Sequence, residues 1–130
     1  MKLNSFHHIA IIVSDLEKSK YFYTKILGFK IIAENFRKER NSFKLDLISQ
    51  NNMRLEIFSF PNSPKRVSRP EACGLRHLAF SVSDILEEVK RLKKLNIVVE
   101  EIRVDEFTNQ KFTFFEDPDG LPLELYEEKR

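Results

Sequence analysis

The chain is short of several things, and each shortage narrows what it can be. Cys73 is the single cysteine among 130 residues. An intrachain disulfide is therefore excluded, and the composition fits a reduced, intracellular setting. Three glycines are present, and each stands alone beside a turn-like stretch, at Gly28, Gly74 and Gly120. None builds the clustered loop that cradles a phosphate, so nucleotide binding of the Walker or Rossmann kind has no support. No apolar run approaches the roughly 20 residues of a membrane span, and Met1 to Ser5 hold no apolar leader segment. The expectation is a soluble, cytoplasmic protein with no membrane partner. An excess of one charge is missing too. The 22 basic residues face 20 acidic ones and the signs interleave, so no basic block marks a nucleic-acid partner.

What is present is a phrase written twice. Phe6-His7-His8-Ile9-Ala10-Ile11-Ile12-Val13-Ser14-Asp15 and Gly74-Leu75-Arg76-His77-Leu78-Ala79-Phe80-Ser81-Val82-Ser83-Asp84 share a His followed by apolar-Ala-x-x-Val-Ser-Asp. A helix-like segment follows each. His77 lies 69 positions after His8 (77 − 8). A fixed internal spacing marks a duplicated structural unit.

Around this phrase the chain reads as two βαβββ modules. In the first, residues 5–13 alternate as a strand, with Phe6, His8, Ala10 and Ile12 on one face and His7, Ile9, Ile11 and Val13 on the other. Ser14 or Asp15 caps a helix that runs to about Leu27, and Gly28 stops it. Its apolar stripe is Leu16, Phe22, Tyr23, Ile26 and Leu27. Strands are predicted over 29–34, 43–49 and 53–60, with a turn at Asn51-Asn52. Residues 61–73 form a loop, broken by Pro61, Pro64 and Pro70. In the second module, strands are predicted over 75–82, 97–102, 109–115 and 121–126. A helix capped at Asp84 carries Ile85, Val89, Leu92 and Leu95, and Asp117 to Gly120 forms a turn. The tail 127–130 is expected to fray. At this length one domain suffices: 1–130, with a first module of about 5–60, the loop 61–73, and a second module of about 74–127.

The last predicted strands repeat a second phrase. Leu55-Glu56-Ile57-Phe58 and Leu123-Glu124-Leu125-Tyr126 each embed a carboxylate in Leu-Glu-apolar-aromatic, 68 positions apart (124 − 56). Parity then decides the faces. If Leu55, Ile57, Leu123 and Leu125 pack on the helices, Glu56 and Glu124 face the other side, as do His8 and His77. A half-buried carboxylate without a partner is costly. Two imidazoles and two carboxylates sharing a first-row divalent cation offset that cost. His7 is assigned to the helix side, as a packing or surface residue, and Arg76 takes its place in the second copy.

The motifs HHIAIIVSDLEKSKYFYTKILGF (7–29), RLEIF (54–58), GLRHLAFSVSD (74–84) and FFEDPDGLPLELYE (114–127) resemble the vicinal oxygen chelate superfamily, the glyoxalase/bleomycin resistance/dioxygenase group. The resemblance implies an α+β fold of paired βαβββ modules whose curved mixed sheets surround a metal site. It places the family's four metal positions on His8, Glu56, His77 and Glu124. The branch with the most similar pattern is glyoxalase I-like. It uses octahedral Ni²⁺ or Zn²⁺, with Fe, Mn or Co as further candidates.

The activity implied is that of a lyase or isomerase acting on a small vicinal-oxygen substrate, such as the hemithioacetal of methylglyoxal and glutathione, through a metal-stabilised enediolate. Glu124 and Glu56 are the candidate bases, with Glu124 favoured. Two positions depart from the glyoxalase I pattern. Ile12 stands where that enzyme has an Arg, and Phe60 where it has an Asn. Losing both polar contacts removes much of the reason to expect glutathione. Arg37, Arg54 and Lys111 are the basic residues that could hold another anion. The alternatives are a dioxygenase, thiol transferase or epimerase of the same superfamily, or a non-catalytic binding protein of the bleomycin-resistance type. A homodimer is expected, because curved sheets of this size leave apolar edges to cover.

Overall fold

In the computed structural model, which describes residues 1–129, Met1–Lys65 and Arg66–Arg130 form two compact units. Each is a four-stranded mixed sheet with one main helical segment, so the class is α+β, with no closed barrel.

In the first unit, β1 (Ile9–Val13) leads into α1 (Leu16–Tyr21), followed by β2 (Lys30–Arg37), β3 (Ser42–Ile48) and β4 (Arg54–Ser59), in sheet order β1-β4-β3-β2. β1 pairs parallel with β4, and the other pairs are antiparallel. The Asp15 carboxylate caps α1 by accepting the Lys18 N–H at 3.1 Å. The helix then loosens into a π-turn over Phe22–Ile26 before Gly28 ends it at φ +83°. The extra residue per turn widens the apolar stripe, so Phe22, Tyr23 and Ile26 are all buried. The other side of this core comes from Ile11, Val13, Leu45, Leu47, Leu55 and Ile57, the alternate residues of three strands. β2 runs to Arg37, three residues past the predicted end, held by pairing with β3.

The second unit repeats the order with β5 (Leu78–Val82), α2 (Ile85–Lys94), β6 (Arg103–Val104), β7 (Lys111–Glu116) and β8 (Pro122–Glu127), in sheet order β5-β8-β7-β6. The Asp84 side chain caps α2 by accepting the Glu87 N–H at 3.1 Å. Ile85, Val89 and Leu92 are buried one turn apart, while Leu95, at the cap, is exposed.

The strand predicted over 97–102 does not form. That stretch is tied to β7 by isolated bonds, Glu100 N–H to Phe114 O at 2.9 Å and Thr113 Oγ1 to Glu100 O at 2.7 Å. Regular pairing starts only at Arg103. The tail is ordered further than its polarity suggests. Glu127 ends β8, and its buried carboxylate accepts the Ile85 N–H at 3.0 Å, adding a second cap to α2. Arg130 lies outside the described residues.

Leu123→Ala, in the fully buried row of β8, should cost about 2–5 kcal/mol. Leu86→Ala, at an exposed position of α2, should stay within about 0.5 kcal/mol. Asp84→Ala should cost about 1 kcal/mol through the lost cap. Urea unfolding at unchanged m-value measures all three.

Candidate functional site

The helix-packed face of each sheet is apolar, and the opposite face carries the polar groups. In the first unit, the parallel pairing sets Ala10 opposite Glu56. His8, two residues ahead, lies just before β1 and reaches over the small alanine. Its Nε2 meets Glu56 Oε2 at 2.5 Å. His7 turns to the same place, with its Nδ1 2.9 Å from His8 Nδ1. Strand alternation assigns His7 to the helix side. Because the ladder begins at Ile9, nothing imposes that alternation on residues 7 and 8.

Lys44 is the residue that sequence reasoning missed. On β3, Asp46 lies opposite Glu56 and Lys44 opposite Phe58. The Lys44 ammonium sits 2.8 Å from Glu56 Oε1 and 3.3 Å from Asp46 Oδ1. Each oxygen of Glu56 therefore has its own partner. The Lys44 ammonium holds the Glu56 carboxyl below its ordinary pKa, against the opposing effect of burial, and His8 and His7 add smaller pulls. Reciprocally, the Glu56 hydrogen bond raises Lys44, burial opposes it, and Asp46 adds to the rise. The parity of β3 puts Lys44 and Asp46 on the carboxylate's face, but their contact with Glu56 needs the β3–β4 register.

The two positions that depart from the glyoxalase I pattern share this face. Ile12 is exposed and lies opposite Phe58. Phe58 stacks on Phe60 (6.2 Å between centroids), and the Arg37 guanidinium covers both rings at 4.7 and 5.8 Å. Arg37 is thus placed by β2's extra residues and by cation–π contact, with a further bond to Ser42 Oγ. Arg54 is exposed at the start of β4, and Lys111 is half-buried at the start of β7.

The second unit repeats the central contact and changes its surroundings. Ala79 lies opposite Glu124. His77, again two residues ahead and outside the strand, brings Nε2 to 3.0 Å from Glu124 Oε2. Where the first unit has Asp46 opposite its glutamate and Lys44 two pairs further, the second has Phe114 and Phe112. Phe114 meets the His77 ring edge-on at 5.1 Å, and the Arg103 guanidinium lies over Phe112 at 4.9 Å. One carboxylate is therefore set among charges and the other among rings. Two residues beyond Glu124, the Tyr126 hydroxyl donates to Asp105 Oδ2 at 3.1 Å, tying β8 to the loop before β7.

Each pair offers one imidazole nitrogen and one carboxylate oxygen turned toward each other, with both carboxylates mostly shielded, at 15% and 13% side-chain exposure. That donor chemistry suits a first-row divalent cation. Neither unit by itself gathers a third His, Cys, Asp or Glu around its pair into a metal-holding group, among the described residues.

The Glu56 carboxylate has a depressed pKa in the folded protein. Its contribution to folding is therefore in place above the ordinary carboxylate range and lost as pH falls through the folded value. Lys44→Met should move the Glu56 titration upward and make stability less sensitive to acid over that interval. A carboxyl-carbon NMR titration, with Glu56 assigned through Glu56→Gln, reads the shift.

A family model described as the Glyoxalase/Bleomycin resistance protein/Dioxygenase superfamily matches residues 5–125. The Bacillus subtilis protein YwkD is 56% identical over 128 residues, covering 98% of this chain and 100% of its own. A glyoxalase family protein of known structure from Enterococcus faecalis superposes with a TM-score of 0.92 at 50% identity, covering 98% of this chain and 100% of its own. Metallothiol transferase FosB of Staphylococcus saprophyticus is 30% identical over 127 residues, 95% of this chain and 77% of that protein. With its two βαβββ units and a family match across nearly its whole length, the chain belongs to the glyoxalase/bleomycin resistance/dioxygenase superfamily.

Proposed function

We propose that this protein is a metal-dependent lyase or isomerase of the glyoxalase I type, acting in the cytoplasm on a small substrate with two vicinal oxygens. His8, Glu56, His77 and Glu124 hold one divalent cation, Ni²⁺ or Zn²⁺ first, with Fe, Mn or Co as substitutes. One observation carries this reading: the same imidazole–carboxylate contact occurs in both units at the same strand register. A stable site for such an ion takes more than two protein ligands. A complete set therefore needs one pair of each kind, from one chain or from two chains of a homodimer.

When bound, the cation supplies Lewis acidity to two adjacent substrate oxygens. The proton transfer falls to the carboxylates, and their surroundings divide the work. Lys44 holds Glu56 as the anion, which suits a fixed ligand. Glu124 has His77 as its ion-pair partner and phenylalanines at the positions matching Lys44 and Asp46. With no ammonium at those positions to hold its charge, it is the carboxylate that takes a proton from one substrate carbon and returns it to the next. Thiol transfer is the second reading, favoured by the identity with FosB. It shares the cation and differs in using a thiol as the attacking group.

Protein purified without added metal should carry about one ion per complete set, read by elemental analysis, and Glu56→Gln and Glu124→Gln should each weaken retention at least about tenfold. A folded protein that takes up no ion even after reconstitution would sink the site. At saturating metal, Glu124→Gln should lower kcat for the methylglyoxal hemithioacetal by about 100-fold or more, with glutathione and other thiols compared side by side. Enzyme-dependent formation of a thioether from a thiol and an electrophilic acceptor, assayed without methylglyoxal at saturating metal, decides for thiol transfer. Mixing His8→Ala/Glu56→Gln chains with His77→Ala/Glu124→Gln chains asks which chains supply the site: recovered metal binding means the pairs come from two chains.

A further inference from the structure

Beside His77, the second unit contains a pocket of about 820 Å³, within the size range of small-molecule sites. Its walls are of two kinds. Phe114, Phe115, Ile97 and Val98 give an apolar side, and the polar side holds four arginines, Arg66, Arg69, Arg76 and Arg103, against three glutamates.

These arginines divide into fixed and available ones. Arg66 donates Nη2 to the carbonyls of Leu75 and Arg76 at 3.0 and 2.8 Å, and Nε to Ser68 Oγ at 3.1 Å. It thereby holds the 66–72 segment as a wall ahead of His77. Arg103 is neutralised by Glu100 at 3.1 Å and lies over the Phe112 ring. Arg69 and Arg76 have no carboxylate within ion-pair distance among the described residues, and Arg76 directly precedes His77. Of the pocket's three carboxylates, Glu100 is taken by Arg103, Glu116 lies beside Gly120 at the turn, and Glu71 remains.

We propose that this pocket binds the anionic group of the substrate, a carboxylate, phosphate or phosphonate carried on a short apolar stem, with Arg76 and Arg69 as its holders. A guanidinium fork suits a planar or tetrahedral oxyanion, and a hydrogen bond to a charged group is worth more than a neutral one. The apolar wall takes the stem, and His77 marks the reacting end. The assignment deepens the reading of His77 as part of the functional site.

The test uses two anionic probes and one neutral one, valerate, butylphosphonate and valeramide, titrated into the full chain and followed by amide NMR shifts. It is run on metal-reconstituted protein and on chelator-stripped protein. Valerate or butylphosphonate should give saturable shifts at residues 66–77 and 97–103, and the stronger of the two identifies the oxyanion class. Valeramide should give none. Arg76→Gln and Arg69→Gln should each weaken the binding about tenfold, Arg76→Lys should weaken it less, and Arg91→Gln on α2 should leave it unchanged.

Binding that is equal for valeramide, unchanged in both Gln variants, or absent overturns the proposal. Should Arg76→Gln fail to fold, the Arg69→Gln and Arg76→Lys titrations decide. Metal content measured on the same samples separates the two ideas. Anion binding in a protein that never takes up an ion retains the pocket and removes the metal reading, and the reverse result does the opposite.

Discussion

The candidate site depends on one constraint, the parallel register between the first and last strands of each unit. Ala10 opposite Glu56 and Ala79 opposite Glu124 put the smallest side chain of each first strand beside the carboxylate. The His two residues earlier is then free to fold over it. A one-residue slip would send the glutamate to the helix-packed face and turn its neighbours, Leu55 and Ile57 or Leu123 and Leu125, out of the core. Those apolar rows are buried against α1 and α2, so hydrophobic burial, not the polar groups, holds the register. The functional face is positioned by the face it turns away from.

From the same register the two units diverge. Across the ladder from Glu56 stand Asp46 and, two pairs on, Lys44; at the matching positions across from Glu124 stand Phe114 and Phe112. A duplicated backbone thus presents two similar carboxylates in unlike surroundings, one charged and one aromatic. The arginines follow a related division. Arg37 and Arg103 are each fixed over a pair of rings, while Arg69 and Arg76 have no carboxylate partner among the described residues.

Much of this is legible in the sequence where period and pattern suffice. The alternation in Leu55-Glu56-Ile57 and Leu123-Glu124-Leu125 identified the faces because a buried apolar row enforces it. The caps at Asp15 and Asp84 and the stop at Gly28 are local chemistry, readable from neighbours in the chain. The failures lie where local rules lapse. Residues 97–102 look strand-like, yet only isolated bonds tie them to β7. Alternation assigns His7 to the helix side, but the ladder that enforces alternation begins only at Ile9.

The sequence by itself determined that the fold is a duplicated βαβββ unit, which faces are apolar, and that a His and a Glu recur at matched spacing in each copy. Periodicity and repetition are properties of the chain alone. Only the tertiary structure decided what each of those groups touches: Lys44 on Glu56, His7 on His8, Arg37 over Phe58 and Phe60, and the arginines gathered around the pocket beside His77. Those contacts join residues far apart in the chain or lying outside any ladder. They are set by strand register and by how lead-in segments settle on a packed sheet, which no short-range pattern encodes.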